Sequence, residues 1–229
     1  MAFFSRRKKQ GPVSEPEATE VEQDPVAEAT ASDGPRDISL VDTVDGMHNF
    51  GVLHLPKKPG IRVQFTINKR TRAAIGALVQ FEGSAVTLNV YAAPKNTGLW
   101  HDIREELSET VSGSGGTANF REGPFGPEIE AMVPKKDVNE IRHVRYVGFD
   151  GPRWFLRATI EGDAVTNADV RAIVDDYFRE VVVDRGSEPH PVRDLLELEM
   201  PDSARERVEA KLGTLPAIKT RGPELPELA

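Results

Sequence analysis

The chain has 229 residues, 38% of them hydrophobic and 29% charged, with a formal net charge of −8 and no cysteine. That composition fits a globular protein with room for a sizeable core, and it excludes disulfides, thiolate catalysis and cysteine-ligated metal centres. The negative balance speaks against general nucleic-acid binding, which needs a basic footprint on the phosphates.

Residues 1–36 read as a disordered N-terminal arm. The cluster Arg6-Arg7-Lys8-Lys9 comes first, followed by acidic sequence with scattered proline and no apolar periodicity. Phe3 and Phe4 stand beside the four cations. Phe3, Phe4, Arg6, Arg7, Lys8 and Lys9 together suit weak contact with an anionic membrane surface, rings buried and cations on headgroups. The start Met1-Ala2-Phe3-Phe4-Ser5 runs into cations rather than a long apolar core, so no signal peptide is expected. No apolar run approaches the roughly 20 residues that span a bilayer. The expected location is cytoplasmic.

From Phe50 onward the pattern is that of strands. Gly51 to Leu55 is the first, and Lys57-Lys58-Pro59-Gly60 turns the chain. Ile61, Val63, Phe65 and Ile67 alternate with polar residues, the period of a half-buried strand. Ala73 to Phe81 is apolar on both faces, Glu82-Gly83 makes a tight turn, and Val86, Leu88 and Val90 line one face of the returning strand. A helix then follows with Asn96 or Thr97 as cap and Leu99, Trp100, Ile103, Leu107 and Val111 on its apolar face. Ser112-Gly113-Ser114-Gly115-Gly116 ends it. This glycine run follows a helix rather than opening one, so it is not a phosphate loop.

The second half starts near Ala118. Gly123-Pro124-Phe125-Gly126-Pro127 reads as a rigid turn, Glu128 to Val133 and Val144 to Phe149 as strands, and Asp150-Gly151-Pro152 as a three-residue turn into Arg153 to Glu161. Thr166-Asn167-Ala168-Asp169 is a capping-box-like start to a second helix, with Asp in place of the usual Glu or Gln, and Val170, Ile173, Val174, Tyr177, Phe178 and Val181 form its buried stripe. The word Phe-acid-Gly occurs at residues 81–83 and again at residues 149–151, each time followed by a strand and then a helix. This suggests a ββα pseudo-repeat. The organisation expected is the arm at 1–36, one α+β domain at 37–200, and a Pro-rich, largely flexible tail at 201–229 with a short helix from Ser203 to Leu212.

The five histidines, His48, His54, His101, His143 and His190, show no compact metal spacing. No serine sits in a nucleophile motif, and the carboxylates fall on solvated helix faces. No catalytic residue, metal ligand or cofactor is expected. The candidate binding surface lies on the second hairpin. With Trp154, Leu156, Ala158 and Ile160 facing the core, Arg153, Phe155 and Arg157 face outward, and a three-residue turn adds Arg145 to them. Guanidinium groups interleaved with an exposed ring suit a partner or anion surface.

The run from Arg142 to Arg157, which contains Gly151-Pro152-Arg153-Trp154-Phe155-Leu156-Arg157, resembles the signature of a family of uncharacterised actinobacterial proteins known as a domain of unknown function. Tyr91-Ala92-Ala93-Pro94, Gly98-Leu99-Trp100, Gly123-Pro124-Phe125-Gly126 and Val183-Asp184-Arg185-Gly186-Ser187-Glu188-Pro189 match as well. The resemblance spans roughly residues 38–201. It implies an intracellular actinobacterial protein encoded near a dUTP pyrophosphatase and an OB-fold protein, and it brings no activity or site.

The expected fold is α+β, a mainly antiparallel sheet of about six to eight strands with two packed amphipathic helices. The expected function is a non-catalytic binding or adaptor protein with a protein partner or a second copy of itself on the Arg/aromatic face. An enzyme or accessory factor in nucleotide metabolism and a peripheral membrane protein acting through residues 1–9 are the alternatives.

Overall fold

A computed structural model describes residues 34–135 and 140–212. Residues 1–33 of the N-terminal arm, with its membrane-contact candidates, lie outside these residues, whereas Gly34 and Pro35 are described and buried and Arg36 belongs to the first strand. The element order is β1 (Arg36–Asp37), β2 (Met47–Asn49), β3 (Leu53–Pro56), β4 (Arg62–Ile67), β5 (Ala74–Phe81), β6 (Ser84–Ala92), α1 (Trp100–Gly113), β7 (Thr117–Gly123), β8 (Gly126–Pro134), β9 (Ile141–Gly151), β10 (Trp154–Gly162), α2 (Asp163–Thr166), α3 (Ala168–Arg179), β11 (Val182–Val183) and α4 (Asp202–Leu212). The fold is α+β. A seven-stranded antiparallel sheet runs β4-β5-β6-β10-β9-β8-β7, and a small sheet runs β1-β11-β3-β2.

Strand alternation divides the large sheet into two faces, and each face carries its own core. Val86, Leu88 and Val90 of β6 sit beside Ile160, Ala158 and Leu156 of β10. With Val79, Leu53, Leu55, Val174 and Phe178 they form the larger core, roofed by the small sheet and α3. The opposite face buries Phe155, Ile129 and Ala131 against Leu99, Trp100 and Val111 of α1. Two helix layers therefore cover one sheet from opposite sides.

The two hairpins β5–β6 and β9–β10 do lie side by side, joined through the β6–β10 pairing. The likeness stops at the helices that follow, which pack on opposite faces of the sheet. The two Phe-acid-Gly words are also not equivalent. Glu82-Gly83 is itself the turn between Phe81 and Ser84, whereas Asp150-Gly151 is still strand, and the turn is Pro152-Arg153.

The chain after β11 returns to the large sheet as a strap. Beyond the Ala77–Leu88 pair β5 leaves β6, and the vacated edge is taken by residues 193–198. Arg193 N–H donates to the Ala92 carbonyl, Leu196 N–H to Val90 and Leu198 N–H to Ala74, each at 2.8 Å. Leu196 and Leu198 enter the larger core. Among the described residues no helix is long and apolar enough to cross a membrane.

Candidate functional site

The four residues of the sequence-predicted surface do not share a face. The β9–β10 turn has two residues, with Gly151 opposite Trp154. The expected three-residue turn is thereby corrected, and the parity of β9 reverses. Arg145 consequently pairs with Ile160 on the larger-core side, where it is fully buried. Phe155 points to the other side but is not exposed either. It is fully buried under α1, 5.8 Å from the Trp100 ring in a stacked arrangement. Arg153 occupies the exposed turn at φ 64°. Arg157 alone lies in a concave, partly open position.

Arg145 is the hub of an ion network that the sequence reading missed. Its Nη1 donates to Asp175 Oδ1 and its Nη2 to Glu128 Oε2, both at 2.6 Å. Arg171 reaches Glu130 at 2.7 Å and Glu128 at 3.8 Å, and Arg121 stands 3.7 Å from Glu130. Burial opposes the Arg145 charge, and the hydrogen bonds it donates to Glu128 and Asp175, with the charges of those carboxylates, outweigh it, holding the guanidinium pKa above its ordinary value. Three cations face three carboxylates, so the network is closed on itself. Its geometry suits structure rather than ligand capture.

Around Arg157 the arrangement differs. A groove of about 240 Å³ runs between α1 and the sheet, lined by Tyr91, Ile103, Glu106, Leu107, Thr110, Arg157 and Arg193. The Arg157 guanidinium lies over the Tyr91 ring, 5.3 Å from its centroid. Its Nη2 reaches Asn89 Oδ1 at a long 3.4 Å, and its Nε is buried without a partner. Arg193, delivered by the strap at φ 70°, pairs instead with Glu106 at 2.5 Å and Asp102 at 3.3 Å. Burial pushes the Tyr91 hydroxyl pKa up against the pull of Arg157. Tyr146 is likewise raised by burial, opposed by Arg142 and Arg157. Arg157 thus remains a half-buried cation with no carboxylate partner among the described residues, beside the apolar side chains of Ile103 and Leu107.

The sequence reading identified Arg157, Ile103 and Leu107 individually but had no signal that Arg193, 91 residues from Asp102, would close the groove. α1 covers the sheet face that carries Phe155, while the strap extends the sheet edge. Phe125, in the turn between β7 and β8, packs edge-on against Phe178 at 5.0 Å with Arg179 over its ring. A wider hollow of about 840 Å³ opens beside the β5–β6 turn near Arg62, Gly83 and Glu161. No group of three or more His, Asp or Glu among the described residues is placed to hold a metal ion.

No curated protein sequence matches the chain. Among solved structures, it is similar to the solution structure of cyanobacterial PsbP (CyanoP) from Synechocystis sp., at 9% identity and a TM-score of 0.39, covering 60% of this chain and 91% of that one. That likeness is too distant to bear on fold or function. A family model matches residues 34–207, so the Arg157 groove, the ion network and both cores all lie within it, and the chain belongs to the family of proteins of unknown function DUF3710.

Proposed function

We propose that this protein is a non-catalytic binding module whose folded domain takes an acidic–apolar segment of a protein partner in the Arg157 groove. One observation carries the reading: Arg157 lies over the Tyr91 ring with no carboxylate partner among the described residues, next to Ile103 and Leu107. A guanidinium stacked on an aromatic ring keeps its hydrogen-bonding edge directed and is only weakly hydrated, which favours a carboxylate that arrives with it. The flanking apolar side chains take the partner's neighbouring residue, and the Arg193–Glu106 pair limits the groove at one side. Binding rather than catalysis is favoured because no titratable pair in the groove is set up to exchange a proton.

The test is affinity capture from lysate with the wild type, Arg157→Ala and Ile103→Asp, together with light scattering to register self-association. The reading predicts at least one partner, or the oligomer, lost in both variants and kept in Arg157→Lys at reduced strength. The same partners and the same mass in all four proteins would overturn it.

A further inference from the structure

The tip of the second hairpin carries a feature that its own packing does not account for. Pro152 fixes the first turn position, and Arg153 takes the second at φ 64°, the pattern of a turn that favours glycine there. The Arg153 carbonyl accepts the Ala93 N–H at 3.0 Å, which ties the turn down through its backbone, while the exposed side chain makes no hydrogen bond or ion pair among the described residues.

A second guanidinium stands close to it. Trp154, next in the chain, donates its indole N–H to Asp37 at 2.7 Å. Asp37 pairs with Val183, two residues before Arg185. The hairpin tip and the loop after β11 therefore meet at one corner of the molecule. Arg185 is only 8% exposed. Its Nη1 is committed to the carbonyls of Gly186 and Glu188, its Nε is buried without a partner, and its Nη2 makes no hydrogen bond among the described residues. Burial and then the charge of Arg153 push the Arg185 pKa down, and no carboxylate counters them. Asp184, in the same loop, is engaged with the Gly186 N–H at 3.1 Å.

We infer that Arg153 and Arg185 form a binding site for a phosphate-type dianion. Two guanidinium groups on segments that meet at one corner, with no carboxylate paired to either among the described residues, repel each other. A dianion between them removes that repulsion and accepts from both forks. Arg153 supplies the exposed arm and the open Nη2 of Arg185 the fixed one. In a chain of net charge −8, such a corner stands out locally from a surface that repels anions. The site is separate from the Arg157 groove and does not rest on the reading given for it.

The test is thermal denaturation of the full chain in inorganic phosphate and in methyl phosphate, against chloride at matched ionic strength. The wild type is expected to melt several degrees higher in millimolar phosphate. Arg153→Gly, which keeps the turn and relieves its strain, is expected to melt at or above the wild type in chloride and to lose the phosphate shift. A shift with methyl phosphate as large as with inorganic phosphate assigns the site to phosphate monoesters, and a shift with inorganic phosphate alone assigns it to the free ion. No phosphate shift in the wild type, or an equal shift in Arg153→Gly, would overturn the inference.

Discussion

The carboxylate of Asp150 accepts the backbone N–H of Leu99 at 2.7 Å and also that of Trp100 at 3.1 Å, and so caps a helix that begins some 50 residues earlier in the chain. Leu99 itself offers no side-chain cap. Gly98 lets the two chains approach, because a Cβ there would meet Asp150 Oδ2 at 2.5 Å. The acid of the second Phe-acid-Gly word is therefore a tertiary cap, placed at the positive end of the α1 dipole. Burial nevertheless raises its pKa, more than the two N–H bonds lower it.

Removing that cap should loosen α1 from the sheet. Asp150→Ala is expected to cost about 1 to 2 kcal/mol in urea unfolding, and Gly98→Ala to destabilise as well by pushing the carboxylate away. An Asp150→Ala variant as stable as the wild type would show that the cap is not what holds the first turn.

Much of this fold could be read from the sequence because its strands carry period-two patterns and its turns carry glycine. Glu82-Gly83 is the turn that the sequence implies, whereas the second helix is capped one residue later than the Thr166-to-Asp169 box implies, by Asn167, whose Oδ1 accepts from the Asp169 and Val170 N–H groups. The failures share a cause. Asn96 and Thr97 were chosen as caps because local sequence can only nominate local residues, whereas Asp150 arrives through tertiary structure. Ile173, assigned to the buried stripe, is 60% exposed, because α3 turns Val174, Asp175, Tyr177 and Phe178 inward and leaves Ile173 on the outer side. The turn length at Pro152 decided the rest. Asp150-Gly151-Pro152 reads equally well as a three-residue loop, and that choice set every side chain of β9 on the wrong face, Arg145 included.

Arg145 offers the largest expected mutational effect. Replacing it with methionine strands the buried Asp175 carboxylate and leaves the buried Glu128 with only the Arg171 contact at 3.8 Å, at an expected cost of about 3 to 5 kcal/mol. Arg145→Met combined with Glu128→Met and Asp175→Leu should recover most of that loss, since the desolvation of all three charges disappears together. A single variant that loses less than about 1 kcal/mol would show that the ion network contributes little to the folded state.

Trp100 lies flat against Gly148, where an added Cβ would overlap the indole ring. The same indole donates to the Pro127 carbonyl at 2.5 Å and stacks on Phe155. Gly148→Ala is thus expected to displace the ring and to destabilise by about 1 to 3 kcal/mol through overpacking. Trp100→Phe in that background should relieve part of the loss. Paired near-ultraviolet dichroism and unfolding curves check both, and an unperturbed Trp100 signal in Gly148→Ala would refute the packing argument.

His54 supplies the pH dependence. It sits in the small sheet between Asn49 and Val182, is buried, and has neither ring nitrogen hydrogen-bonded. Burial lowers its pKa below the ordinary 6.5, and the nearby Asp184 carboxylate only partly restores it. The unfolded chain therefore binds the proton first as pH falls. Stability from a neutral His54 is complete above about pH 6.5 and is lost as pH drops toward the folded value, with a slope of at most about 1.4 kcal/mol per pH unit. His48, lowered by burial and by Lys57, acts in the same sense. Asp150, raised from 3.8, acts in the opposite one over a window that begins there. The decisive quantity is hence the difference between proteins: His54→Leu should lose less stability than the wild type between pH 7.5 and 5.5 in urea titrations. Parallel losses in the two proteins would mean that His54 is already protonated, or already solvated, in the folded state.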